Sequence, residues 1–507
     1  MKAYKFFAAL SLITILVSSC GFIGNQSNKV NPPNIIFILT DDMDAGLMQY
    51  MPKTQELLGK QGATFNEYFV SMSSCCPSRT TILRGQYSHN TKVFATELPD
   101  GGFETFYASK EENSTIAVWL EKAGYNTAFF GKYMNGYPNT AKQTYIPAGW
   151  TEWYSPVDGD PYTQYNYTLN ENGKMVKYGD KPEDYGTDVY TAKSIDFMER
   201  SIKAGEPFFA HISVYAPHSP YVPAPRHAGF FEDVPLPRPP SFNEENTSDK
   251  PWVYSGEPLL SNNQIAKMER TYPKRIQSLQ AVDEMVASII STLESHGALE
   301  NTYIFFSSDN GFHMGQHRLS IGKDTAYEED INVPMLVRGP KIPSGSTIDA
   351  LAGNVDLAST FAEIAGIKTP DFVDGRSLIP LLTGNEPSEW RQAYLLEKGV
   401  LGETTYAPDF FASANPSDFM SGLLEPPDEP YLVKTDRSYR GLRTQDYTFI
   451  QYGDGTLELY NLKADPYQME NIAGIASPTL LDELHIWLES LMHCAGNSCR
   501  EIEAKPQ

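Results

Sequence analysis

Three continuous apolar runs stand out along the chain, and each is closed by polar residues. Asn34-Ile35-Ile36-Phe37-Ile38-Leu39-Thr40 ends in Asp41-Asp42. Thr302 to Ser308 ends in Asp309-Asn310-Gly311, and Phe208 to Tyr215 ends in Ala216-Pro217-His218-Ser219-Pro220. Runs of this kind, without alternation, predict strands buried on both faces, as in a parallel sheet. Between them apolar positions recur with helical spacing, notably over Thr115–Ala123 and Tyr272–His296. Strands alternating with helices predict an α/β fold, a mostly parallel sheet sandwiched by helices. In such sheets ligands bind beyond the carboxyl ends of the strands, where the polar residues stand here.

The pattern changes toward the C-terminus. Tyr439 to Tyr460 alternates like antiparallel strands around a Gly453-Asp454-Gly455 turn, and Leu480–Met492 has the period of an amphipathic helix. This predicts a main domain over 34–435 and a smaller C-terminal antiparallel α+β subdomain over 436–507. Tyr221–Ser261, rich in Pro, acidic and aromatic residues, and the irregular Ala407–Asp436 lack any period and read as surface excursions. With the stretch near Tyr154–Tyr190, they are where substrate subsites are expected. Trp252 and Tyr254 there fit either sugar stacking or core packing.

The first residues read as an export signal: Lys2 and Lys5, the apolar stretch Phe6–Val17, then Val17-Ser18-Ser19-Cys20-Gly21. The stretch is shorter than the roughly 20 apolar residues a spanning helix needs. Small residues ending in Cys-Gly resemble a bacterial lipobox. A lipoprotein signal over 1–19, lipidation of Cys20 and a tether over 20–33 are therefore expected, with an ordinary cleaved signal as the alternative. This places the protein on a membrane, periplasmic or at the bacterial cell surface. A formal charge of −23 and a pI near 4.8 argue against a nucleic-acid partner. They also require any anion site to be locally basic. Export permits disulfides, and Cys494 and Cys499 are close enough to close a small loop. Cys75 and Cys76 are adjacent, so a bond between them would be strained.

Cys75 precedes Pro77-Ser78, which commonly open a helix, and Gly85 offers a stop. An anion at that helix N-terminus would feel the positive end of the dipole, which suits chemistry on a sulfate or phosphate ester. Asp41, Asp42, Asp309 and Asn310 offer hard oxygens and predict Ca2+, with Mg2+ as the other candidate. A thiol at Cys75 is an odd companion for such an ion unless it is chemically converted.

Cys75-Cys76-Pro77-Ser78-Arg79 followed by Leu83-Arg84-Gly85 resembles the signature of the type I sulfatases of the alkaline-phosphatase-like superfamily. Pro33-Asn34-Ile35, Gly131-Lys132, Ala216-Pro217-His218, Ser308-Asp309-Asn310-Gly311, Gly322-Lys323 and Glu458-Leu459-Tyr460-Asn461 agree in order and spacing. The resemblance implies that a maturation enzyme oxidises Cys75 to formylglycine (3-oxoalanine), whose hydrate attacks sulfur beside a metal held by Asp41, Asp42, Cys75, Asp309 and Asn310. By the same resemblance Arg79 would hold the formylglycine hydroxyl. Lys132 and Lys323 would bind sulfate oxygens, and His218 would contact sulfate or the leaving oxygen as general acid. The chain departs from the common Gly-Lys-Trp-His pattern, because Met134 replaces the histidine. Asn135 and His317 are the further substrate-binding candidates; His313 is less favoured.

Gly131-Lys132-Tyr133-Met134-Asn135 and Pro147-Ala148-Gly149-Trp150 resemble the N-acetylglucosamine-6-sulfatase and heparan endosulfatase branch. The expected activity is hydrolysis of a sulfate monoester on a sugar such as N-acetylglucosamine-6-sulfate, or on an aryl sulfate. The alternatives are a phosphonate or phosphate ester hydrolase, and a lipoprotein that binds sulfated glycan without cleaving it.

Overall fold

Strand β1 (Asn34–Thr40) is buried along its whole length, and its alternate side chains feed two different cores. Ile35, Phe37 and Leu39 pack on one face of the sheet, Ile36 and Ile38 on the other. This is the period-2 geometry of a strand covered on both sides. The computed structural model describes Met1 and residues 32–385, 387–399 and 438–504, without the side chains of Trp252 and Val253. The signal, Cys20, nearly all of the tether and the Ala407–Asp436 stretch lie outside the described residues.

The main sheet has ten strands: β1, β2 (Ala63–Phe65), β3 (Asn126–Gly131), β4 (Glu152–Gly159), β5 (Tyr167–Glu171), β6 (Lys174–Lys177), β7 (Phe208–Ser213), β8 (Thr302–Ser308), β9 (Met335–Arg338) and β10 (Ser346–Ile348). Their order is β10-β2-β9-β8-β1-β7-β3-β4-β5-β6. The centre, β8-β1-β7-β3-β4, is parallel throughout, as the apolar runs predict. Antiparallel pairs flank it on both sides. Helices α1 (Cys75–Arg84), α2 (Ile116–Lys122) and α5 (Leu357–Ile364) cover one face. Helices α3 (Gly186–Ala204) and α4 (Asn262–Ser295) cover the other.

Helix α4 starts ten residues before the apolar period does. Ser261 and Gln264 form a capping box, each side chain taking the other's backbone N–H. Of the residues between Ser261 and Arg270 only Met268 is buried, so hydrophobic spacing gives no sign of this first stretch. Helix α1 also begins early, at Cys75 itself, and ends at Gly85 with φ +66°.

The C-terminal sheet is antiparallel, β11 (Ala393–Lys398), β12 (Tyr439–Thr444), β13 (Tyr447–Tyr452) and β14 (Leu457–Asn461). Its first strand lies ahead of residue 436. Helix α6 (Pro478–Met492), capped by Ser477, packs Leu484, Trp487, Leu488 and Leu491 into the same core. Tyr254 is buried there against Tyr327 and Tyr452, which makes it a core aromatic. The Cys494–Cys499 disulfide is formed, and Cys75 and Cys76 are free thiols. No helix among the described residues is long and apolar enough to cross a membrane.

Candidate active site

Parallel register brings the ends of the apolar runs to one edge. Thr40 of β1 faces Ser308 of β8, Leu39 faces Ser213 of β7, and Ser213 faces Gly131 of β3. Asp41-Asp42, Asp309-Asn310, Lys132 and the loop to His218 therefore leave the sheet together. Gly131 has φ +95°, and a Cβ there would stand 2.0 Å from the Ser213 carbonyl oxygen, so only glycine lets β3 turn Lys132 into the site. The N-terminus of α1 adds Cys75 at the same edge.

Asp41, Asp42, Cys75 and Asp309 are all buried, with candidate ligand atoms within 4.8 Å of one another. Cys75 Sγ lies 3.4 Å from Asp41 Oδ1. Asn310 Nδ2 donates to Asp42 Oδ1 (2.7 Å), while its Oδ1 lies 3.4 Å from Lys323 Nζ and so faces the cluster. Lys323 Nζ also reaches Asp42 Oδ1 at 2.5 Å and Cys75 Sγ at 2.6 Å. Lys132 Nζ donates to Asp41 Oδ2 at 2.6 Å. Arg79, on α1, pairs with Asp309 through Nε (2.9 Å) and Nη2 (2.8 Å). Its Nη1 donates to the Lys132 carbonyl and to Ser213 Oγ, each at 2.6 Å. Every sequence-derived candidate in this group comes together.

The charges are mutually tuned. Burial pushes the Asp41 carboxyl up, but Lys132, His218, Arg79 and Lys323 outweigh it and hold it well below the usual carboxylate range. Asp42 is likewise lowered, against its burial, by Lys323 and His218. Asp309, buried and close to Asp41, is pushed up to about 6 despite Arg79. Burial and then Asp41 push the Cys75 thiol far up, so the helix N-terminus does not make it a thiolate. A protonated thiol is a poor nucleophile. Lys132 and Lys323 stay charged because Asp41 and Asp42 outweigh their desolvation.

The donor set fits a hard divalent cation: three carboxylates and an amide oxygen in a buried cluster. Three carboxylates face three cations here, so adding a divalent ion leaves a net positive site, complementary to an ester anion. This meets the requirement that an acidic chain bind anions only where it is locally basic.

His218 points Nε2 at Asp42 Oδ2, 3.6 Å away, while Nδ1 lies 2.7 Å from the Ser219 carbonyl. A carbonyl only accepts, so Nδ1 carries the hydrogen. Burial lowers the His218 pKa. Tyr162, which sequence reasoning did not single out, packs its ring 4.6 Å from the His218 ring and 5.1 Å from Lys132 Nζ. It lies in a short 3-10 turn within the Tyr154–Tyr190 stretch, where spacing carries no code.

The remaining candidates make contacts of their own. Asn135 is half-buried, and its Oδ1 is buried without a hydrogen bond from the described residues. His317 is fully buried; its Nδ1 lies 3.1 Å from Glu244 Oε2, and its ring stacks on Tyr327. His313 is held at Nδ1 by both oxygens of Asp330 at 3.0 Å. Met134 packs its sulfur against Cys76 Sγ.

The family profile described as Sulfatase matches residues 33–367. Human N-acetylglucosamine-6-sulfatase is 36% identical over 505 residues, covering 97% of this chain and 90% of that protein. A solved structure described as a complex with its substrate, D-glucosamine-2-N,6-O-disulfate, superposes with a TM-score of 0.70 at 26% identity, over 90% of this chain and 97% of the other. The phosphonate monoester hydrolase of Silicibacter pomeroyi shares the fold, with a TM-score of 0.69 at 22% identity over 94% of this chain and 99% of the other.

Proposed function

Because the chain belongs to the sulfatase family of sulfate ester hydrolases, we propose that it removes a sulfate monoester from an amino sugar of the N-acetylglucosamine-6-sulfate type. The observation that carries this reading is the meeting of Cys75 with Asp41, Asp42 and Asp309 under Lys132 and Lys323. The substrate class is supported by the relative acting on N-acetylglucosamine-6-sulfate and by the neighbour bound to a glucosamine disulfate.

Two groups complete the chemistry when present: Ca2+ (or Mg2+) on Asp41, Asp42, Asp309 and Asn310 supplies Lewis-acid charge, and formylglycine at Cys75 supplies an oxygen nucleophile. The chain's own side chains do the rest. Lys132 and Lys323 neutralise the sulfate oxygens in a buried setting, where fixed cations act strongly. Arg79 fixes Asp309 and ties α1 to Lys132 and Ser213, which holds position 75 beside the carboxylates. His218 holds a hydrogen on Nδ1 against the Ser219 carbonyl and turns Nε2 to the Asp42 carboxylate; once Nε2 also takes up a proton, the imidazolium can give it to the departing sugar oxygen. Tyr162 walls the site against water over Lys132 and His218. The N-terminal reading belongs to the same proposal: residues 1–19 direct export, and Cys20 becomes a lipid anchor, with a catalytic domain that starts at residue 34 and ends ahead of strand β11.

The test has two parts on protein produced with a formylglycine-generating enzyme. The mass of the peptide spanning Cys75 should be that of formylglycine. Turnover of an aryl sulfate should exceed that of the matched aryl phosphate and phosphonate monoester; a clear preference for either phosphorus ester would sink the reading. For the anchor, Cys20→Ala should release the protein from membranes, and unchanged membrane association would refute lipidation.

A further inference from the structure

The turn that carries Asp42 is held from a distance. Asp42 has φ +66°, a left-handed backbone that residues other than glycine adopt at a cost. Such a conformation persists only where its surroundings over-determine it, and here they do. The Asp42 N–H donates to Asp309 Oδ1 (3.2 Å), and the Met43 N–H donates to Ser308 Oγ (2.9 Å). The carbonyl of the same 42–43 peptide accepts from Arg275 Nη2 at 2.7 Å. That peptide plane is therefore gripped at both ends, by Ser308 on the neighbouring strand and by Arg275 on helix α4.

Arg275 is built for this one task. It is fully buried, its Nη2 also reaches Asp44 Oδ2 at 3.0 Å, and its guanidinium lies 4.0 Å above the Phe312 ring. One nitrogen thus bridges the carbonyl of residue 42 and the carboxylate of residue 44, which fixes both ends of the turn. Arg275 also spans from the long helix on one face of the sheet to the strand end where the carboxylates gather. A lysine could supply the charge, but not a planar donor stacked on an aromatic ring.

We propose that Arg275 is a positioning residue for the divalent cation: it sets the peptide plane that aims the Asp42 carboxylate, without touching cation or sulfate itself. The inference rests on the cation reading given above. If the carbonyl of residue 42 loses its donor, the turn can relax out of the left-handed region and Asp42 no longer faces Asn310 and Lys323.

The experiment is calorimetric titration of chelator-treated wild type, Arg275→Met, Arg275→Lys and Asp44→Asn with Ca2+, alongside kcat and KM at low and saturating Ca2+. Loss of a group that orients a metal ligand weakens metal binding by roughly tenfold to a hundredfold. That loss is expected for Arg275→Met, with smaller losses for Arg275→Lys and Asp44→Asn. Saturating Ca2+ should restore much of kcat with KM little changed, a rescue that a general packing defect would not show. A folded Arg275→Met protein with wild-type Ca2+ affinity overturns the proposal. If that variant does not fold, Arg275→Lys decides by the same criterion. Wild-type protein that takes up no Ca2+ overturns the cation reading, and this inference with it; wild-type uptake with unaltered variants overturns the inference alone.

Discussion

At the scale of single residues, Arg79 joins the most parts of the site. It pairs with Asp309 by two nitrogens and donates to the Lys132 carbonyl and Ser213, all in a buried setting. Removing one partner of a buried pair leaves the other charge unsatisfied, a loss of about 3–5 kcal/mol. Arg79→Ala is therefore expected to lower stability by that order in urea denaturation and to abolish turnover. A variant as stable as wild type would show that Asp309 is protonated and does not depend on the pair. The residues legible in the sequence were those whose position followed from a run of neighbours. Asp41, Asp42, Asp309 and Asn310 end apolar strands, and Cys75 sits in a compact signature. His218 closes the third apolar run and took its role from the family resemblance, whereas Lys132 and Lys323 emerged only from that resemblance, since a lone lysine usually marks a solvated surface. Tyr162 and Arg275 carried no signal. One lies in a turn without period, and the other is an arginine in a helix, where partners from β1 and its following turn cannot be read from local spacing.

At the scale of elements, β7 shows how the sheet's two-sided burial constrains chemistry. His211 on this strand is buried among Phe37, Phe129, Trp150 and Phe209, and neither ring nitrogen has a hydrogen-bond partner among the described residues. Burial, and then the charge of Arg79, lowers its pKa from 6.5 to about 3. The unfolded chain takes up a proton at His211 below about pH 6.5, whereas the folded chain stays neutral there until about pH 3. Its contribution to stability is thus complete above the upper value and is lost as the pH falls through this window, by about 1.4 kcal/mol per unit. Comparing wild type with His211→Phe by urea denaturation isolates the term, because other titrating groups cancel. The wild-type advantage should shrink by about 1.4 kcal/mol between about pH 6 and about pH 5; a pH-independent difference would contradict the neutral, unpaired imidazole. The central strands were readable because burial on both faces writes an unbroken apolar run. The antiparallel margins, short or half-exposed, left no such mark, and the capped start of α4 was hidden by its polar surface.

At the scale of the whole molecule, an acidic chain concentrates Arg79, Lys132 and Lys323 at one sheet edge against three buried carboxylates. A divalent cation bound there would link folding to binding, stabilising the native state by about 2.7 kcal/mol at a hundredfold excess over Kd. Chelation should lower the melting temperature and turnover together, and Ca2+ should restore both; chelator-resistant activity would speak against the cation. The small C-terminal sheet was legible from its alternation and turn, but its first strand, Ala393–Lys398, was not, since it reads as one more apolar segment of the main domain. The central claim, that the Cys75 site cleaves a sugar sulfate, is tested most directly by measuring sulfate released from N-acetylglucosamine-6-sulfate by matured wild-type protein and by Cys75→Ala. Sulfate release by the wild type with none from Cys75→Ala is the expected result. Equal release by both proteins would contradict it.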